Sequence, residues 1–323
     1  MSLLPGYVVR PAESVQLQPY VCRSTQLYGF YLRADKVAVQ SRLVDPILNA
    51  PTDGALNYRC LSDLVLVSYA KAQRCSSTLP PANTMGWMLE NSWTLWVPLL
   101  LVKSELGIEV AQRLVFYPAY ICVDNSWSLA AGREVFGFPK GYGPITVPEP
   151  NTPATNFSAA TLVIPTYGPD NGGQVLPLME VRQTGTTSKA GEVWRDIEDA
   201  VAAIGHLLSG SGGKLVIPGF NFLLDLVGLA KNEEVPGVFL KQFRDAANGA
   251  KACYQAVIEA GSFVDTFHGG GLLDGSYEAT LFNYDSHPLA ADLGLSPGPQ
   301  PLEFPFWVNM DFTIGEGREV WRA

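Results

Sequence analysis

The feature that most restricts the fold is a succession of strand-length apolar runs. Leu27–Asp35, Cys60–Ala72, Trp93–Val102, Leu114–Val123, Ala159–Pro165, Val175–Val181, Tyr277–Phe282 and Phe304–Gly315 are such runs. Their aromatic and aliphatic side chains suit a pleated, half-buried surface. The chain's 31 glycines and 24 prolines supply the turns between them. Trp87, Trp93 and Trp96 stand close together, and strand core or pocket wall is the expected fate of such aromatics. A length of 323 residues admits one large β-rich domain or two ordinary ones.

Helical signals are few. Lys36–Val44 reads as a short helix capped by Asp35 and closed by Pro46 and Pro51. Between Ser188 and Leu208 the apolar residues Val193, Ile197, Val201, Ile204 and Leu208 recur three or four apart, which predicts an amphipathic helix. Phe220–Ala230 is a second helical candidate. Val238–Phe243 and Ala252–Ala260 fit helices by composition, although Asn248-Gly249 between them is a hairpin signal. Residues 1–22 carry three prolines and read as an extended arm. With no repeat and no clear linker, residues 1–323 read as a single domain, carrying a helical insertion at about 188–235.

Composition narrows the chemistry. The formal charge is −9 and no cluster of Lys and Arg occurs, so nucleic acid is not an expected partner. Cys22, Cys60, Cys75, Cys122 and Cys253 are odd in number and scattered, which argues against a disulfide framework or a zinc site. His206, His268 and His287 form no metal-binding pair, and no metal is expected. The strongest apolar run, Leu95–Val102, is far short of the roughly 20 residues that cross a bilayer. The first residues lack a basic segment followed by a long apolar core, so a cytoplasmic location away from membranes is expected.

The chemistry-bearing candidate is Lys140, in the stretch Gly132-Arg133-Glu134-Val135-Phe136-Gly137-Phe138-Pro139-Lys140-Gly141-Tyr142-Gly143. A lysine in a glycine-punctuated aromatic turn is unusual for a solubilising residue. Burial strips the charged amine of its hydration, and a neutral amine can attack a ketone to give a Schiff base. The alternative is a turn lysine lying along Phe138 and Tyr142 with its head in water.

The run Val123–Gly143, VDNSWSLAAGREVFGFPKGYG, resembles the signature of the acetoacetate decarboxylase superfamily, in which the lysine after proline forms the Schiff base. The resemblance extends over Gly29–Asp45, Trp93–Gly143 and, more loosely, Val238–Gly315. It implies an α+β, β-rich fold: a closed antiparallel β-barrel with flanking sheet and helices, in which the segments around Asn248-Gly249 are strands. It implies Lys140 as the nucleophile and Arg33 as an arginine pointing into the active site, binding a substrate carboxylate. Phe138, Tyr142 and Trp93 are then expected to contact the substrate, and His287 to hold a loop. No cofactor beyond the lysine is implied. The expected partner is a small keto acid, and a homo-oligomer is expected.

Two departures stand out. Where the familiar decarboxylases carry a second lysine, this chain has Gly141; where they carry an active-site glutamate, it has Ser92. Glu90 is two residues earlier, on the same face of a regular strand; a shifted register or a bulge would let it take over that role, and otherwise the carboxylate is lost. Three functions remain open. They are decarboxylation of a β-keto acid, condensation and dehydration of pyruvate or another 2-oxo acid with an aldehyde, and ligand binding without catalysis.

Overall fold

The computed structural model describes residues 5–10, 16–150, 152–186, 191, 193–211 and 234–323. Among them the chain forms fifteen strands. The first seven are β1 (Tyr20–Arg33), β2 (Tyr58–Cys60), β3 (Leu64–Ser77), β4 (Met88–Glu105), β5 (Ile108–Val123), β6 (Lys140–Tyr142) and β7 (Ile145–Thr146). The rest are β8 (Asn156–Val163), β9 (Gln174–Gly185), β10 (Val193–Trp194), β11 (Glu234–Arg244), β12 (Ala252–Leu272), β13 (Ser276–Leu281), β14 (Gly298–Ile314) and β15 (Arg318–Arg322). All the expected apolar runs are strands. So are the two segments around Asn248-Gly249, where a hairpin outcompetes helical composition because its partners pair from Glu234↔Phe263 to Arg244↔Ala252.

Seven strands close a ring in the order β12–β11–β5–β4–β3–β1–β14, with β14 pairing back onto β12. Six of these seams are antiparallel and extended. The seventh, β5 against β11, is parallel and rests on one register pair, Gly237↔Phe116. Of the remaining eight strands, β13, β9, β8 and β7 continue from β14 as a flanking sheet, while β2, β6, β10 and β15 pair with β4, β5, β12 and β12.

Strand alternation sorts side chains onto the two faces. On the outer face, Val67, Tyr69, Trp93 and Leu95 are fully buried in the main core with Tyr28, Phe30, Phe157 and Met179 from β1 and the flanking sheet. On the inner face, two separate clusters occupy the ring. Ile121, Val123, Phe136, Phe138, Phe239 and Ile258 fill one end. Tyr31, Leu64, Trp194, Phe306 and Val308 fill the other.

Helices differ from expectation in three places. Asp35 caps α1 (Lys36–Val39), its carboxylate accepting from the Val37 and Ala38 amides. Yet the helix does not close at Pro46: it continues as a π-helical segment, Gln40–Asn49, with the proline inside. The wider i→i+5 spacing accommodates a ring that an α-helix excludes. The predicted helix over 188–208 is found as Ile197–Ser211, α3, after the short strand β10, which takes Val193 and Trp194. Trp194 is claimed by tertiary packing against Phe304 and Phe306, which overrides local periodicity. Ala200, Ala203 and Ile204 of α3 pack on that same inner-face cluster. The candidate Phe220–Ala230 lies outside the described residues. Finally, the glycine-rich stretch before Lys140 is a helix rather than a turn. Ser126–Ala131 forms α2, and Gly132–Phe136 extends it as a π-helical segment.

Candidate active site

The acidic and amide residues at the start of the signature build the frame. The Asp124 carboxylate accepts from the backbone and side-chain amides of Asn91, at 2.9 and 2.7 Å, tying the end of β5 to β4 beside Glu90. The Asn125 side chain accepts from the Trp127 and Ser128 amides, which caps α2 and fixes Ser128 on its first turn. At the far end, the Gly132 carbonyl accepts from both the Gly137 and Phe138 amides. Gly137 adopts φ +89°, and a side chain there would meet Lys241 Cα at 2.5 Å. Lys241 Nζ in turn donates to the Val135 carbonyl at 3.1 Å, occupying an otherwise open acceptor of the helix end. Burial lowers the pKa of this second lysine.

The chain emerges as β6, which lies parallel to β5 with Lys140 opposite Ile121. The Lys140 side chain is 10% exposed. Its path needs Gly132, because a Cβ there would stand 2.7 Å from both Cδ and Cε of the lysine. The amine contacts Ser128 Oγ at 2.6 Å and the Ser128 carbonyl at 3.2 Å. Glu90 Oε1 is 3.9 Å away, and the Phe138 ring centroid 5.4 Å. The Phe138 ring packs in turn at a tilt against Phe239, centroids 4.1 Å apart, and edge-on against Phe136. Glu90 Oε2 is buried and has no hydrogen-bond partner among the described residues, a free acceptor 14%-exposed at its side chain. The arrangement is an amine held dry between a hydroxyl and a carboxylate.

The register explains why Glu90 arrives there. Ala72 pairs with Glu90, Ala70 with Ser92 and Ser68 with Thr94 along β3–β4, without a bulge. Glu90 and Ser92 therefore share the inner face, one pleat apart, and Glu90 is the one that reaches the lysine.

The other expected residues divide. Tyr142 is exposed, and with Lys140 and Arg133 it lines a cavity of about 440 Å³ beside β6. His287 also lines this cavity; its ring meets Ser286 Oγ at 2.9 Å, and its backbone pairs with Tyr284, so it does hold a loop. Ser128 and Glu90 are not part of that cavity's wall. Two expectations fail. Trp93 points to the outer face and is fully buried in the main core, because odd-numbered positions of β4 face away from Glu90. Arg33 ends β1 eight residues beyond Thr25, the β1 residue in Glu90's row, or about 26 Å along the strand. Its guanidinium is taken by Asp63 and by Glu303, the latter at 2.9 Å.

The arginine beside the lysine is instead Arg133, which donates to the Lys140 carbonyl at 3.2 Å. Sequence reasoning passed over Arg133 and Ser128 although both lie in the signature; their proximity to Lys140 depends on the helix that was read as a turn.

The acetoacetate decarboxylase (ADC) family model matches residues 39–164, which include Glu90, Ser128 and Lys140. No curated protein sequence matches the chain. Among solved structures, an acetoacetate decarboxylase from Legionella pneumophila is 12% identical with TM-score 0.59, over 98% of this chain and 92% of that one. An acetoacetate decarboxylase-like enzyme from Sphingomonas wittichii RW1 is 15% identical with TM-score 0.58, over 99% of each chain. The enduracididine biosynthesis enzyme MppR, complexed with the condensation product of pyruvate and imidazole 4-carboxaldehyde, is 15% identical with TM-score 0.52. That match covers 96% of this chain and 92% of that one. The chain thus has the acetoacetate decarboxylase-like fold, and its residues 39–164 match the acetoacetate decarboxylase family model.

Proposed function

We propose that the protein is a Schiff-base-forming lyase that decarboxylates a β-keto acid through an iminium on Lys140. The observation that carries this reading is the buried amine, 2.6 Å from Ser128 Oγ and 3.9 Å from Glu90. A solubilising lysine would keep its head in water.

The steps follow from where the groups stand. The amine attacks the keto carbon, and Glu90 takes the proton that the nitrogen sheds. Returned to the oxygen, that proton gives the neutral carbinolamine; a second proton, from solvent, then lets water leave and the iminium form. Ser128 Oγ and the Ser128 carbonyl fix the nitrogen's direction throughout, which is positioning rather than proton transfer. The carboxylate of the bound β-keto acid then departs as CO2, its bonding electrons passing onto the cationic nitrogen. Protonation of the resulting enamine and hydrolysis return the ketone and the free lysine. General acid–base participation of this kind contributes about 10²–10⁴-fold.

Glu90 also supports a second reading. A free carboxylate oxygen beside the iminium is suited to removing a proton from the α-carbon, the step that turns a 2-oxo acid into an enamine nucleophile for an aldehyde. MppR, similar in fold, binds a condensation product of pyruvate.

Borohydride added with acetoacetate, or separately with pyruvate, tests both. We expect a reduced adduct on the peptide bearing Lys140, absent in Lys140→Ala. CO2 release from acetoacetate supports decarboxylation; an enone chromophore from pyruvate with an aldehyde supports condensation. No adduct with any keto acid would remove the Schiff-base reading altogether.

A further inference from the structure

Beside the bulky residues of β5, the inner faces of β3 and β4 near Lys140 carry small side chains. Going away from the Glu90 row, β3 presents Ala72, Ala70 and Ser68, and β4 presents Ser92 and Thr94 opposite the last two. The outer face of the same two strands carries Val67, Tyr69, Trp93 and Leu95, all fully buried. Such asymmetry has a packing consequence: bulky residues fill one side, and the other is left with room.

Two observations locate that room. Ala70 and Ser92 pair across the middle of the sheet, yet both remain partly exposed. One row further, Ser68 and Thr94 are buried again. There the Phe306 ring lies over Gly29, which pairs with Ser68; a Cβ on Gly29 would fall 2.1 Å from Phe306 Cζ. The open stretch therefore starts at Glu90 and the lysine amine, and stops at an aromatic wall. Four residues of strand separate the two rows, about 13 Å.

We propose that this trough holds the tail of the substrate, so that the enzyme's keto acid is unbranched and several carbons longer than acetoacetate, with Ala70 and Ser92 setting the permitted length. This rests on the Schiff-base reading for its chemistry, but the trough itself does not. The lysine and Glu90 take the keto group at the mouth, and the alkyl chain runs over Ala70 and Ser92 toward Phe306. Its floor is uncharged, which suits an alkyl chain and not a second carboxylate.

The test compares acetoacetate with 3-oxooctanoate in borohydride trapping, and adds octanoate, which has no ketone, in calorimetry. Each methylene moved out of water favours binding by roughly fourfold. Wild-type protein should then trap the longer acid at least about tenfold more efficiently at equal concentration, and should bind octanoate saturably. Ala70→Leu and Ser92→Leu, on different strands, should each lower the ratio of long- to short-acid trapping by about tenfold and abolish octanoate binding. Circular dichroism and thermal melting show whether each variant is folded, and a variant that does not fold is replaced by Ala70→Val or Ser92→Val. An equal or lower trapping efficiency with 3-oxooctanoate in the wild type, or ratios unmoved by both substitutions, overturns the proposal. If neither acid is trapped, the Schiff-base reading fails by itself. Octanoate then decides the trough: binding lost in both variants supports it, and binding absent or unchanged overturns it.

Discussion

A single hydrogen atom decides whether Lys140 can lie where it does. Replacing it by a methyl group in Gly132→Ala would bring Cβ to 2.7 Å from the lysine's Cδ and Cε, closer than carbon atoms approach. Overpacking of this sort costs about 1–3 kcal/mol, and the lysine is the element able to move. We expect Gly132→Ala to remain folded while borohydride trapping slows about 10²-fold, the usual consequence of displacing a reacting group by an ångström. A trapping rate equal to wild type would show that the amine does not need its present path. The lysine itself was legible from sequence because proline, aromatics and glycines surround it in an extended signature. Ser128 was not: its hydroxyl comes within 2.6 Å of the amine only because Asn125 caps a helix there, and nothing in Ser126-Trp127-Ser128 announces that contact.

Strands carry the second lesson, that a residue's neighbours in sequence say less than its parity. β4 sends Glu90 and Ser92 inward and Trp93 outward, so a one-residue step separates site from core. Trp93→Ala should therefore destabilise the protein by about 3–5 kcal/mol, read as a shift in the urea midpoint. A folded, equally stable variant with a raised KM would instead restore Trp93 to the substrate. Most strands were visible as apolar runs because burial on at least one face demands them. The π-helical segments were hidden, since Gly132–Phe136 has a turn-like composition and its helical state depends on the amides of Gly137 and Phe138 returning to the Gly132 carbonyl. Arg33 misled for a related reason. It follows an apolar strand as an active-site arginine would, but β1 is long enough to carry it to the opposite end of the ring.

For the molecule as a whole, acid acts on the loop beside the flanking sheet that carries His287. Burial keeps the His287 imidazole below its ordinary range, so the folded chain resists protonating it while the unfolded chain does not. The corresponding stability is complete above pH ~6.5 and declines as pH falls below that value. We expect the thermal midpoint to drop between pH 7.5 and 5.5, and to drop less in His287→Asn; equal drops in the two proteins would exclude the histidine as a source. Ring closure, in contrast, could not be read from the residues alone, because it joins strands that are far apart in the chain. Only the family resemblance suggested it.

The lone Gly237↔Phe116 bridge has a consequence for how the molecule loosens. Six seams of the barrel are zipped along many residues, whereas this one is a single stitch. Thermal fluctuation will part the wall first at that stitch, between the strand that flanks Lys140 and the hairpin around Asn248-Gly249. The barrel thus has a built-in weak point in its girdle, five residues along β5 from Ile121, the residue opposite Lys140.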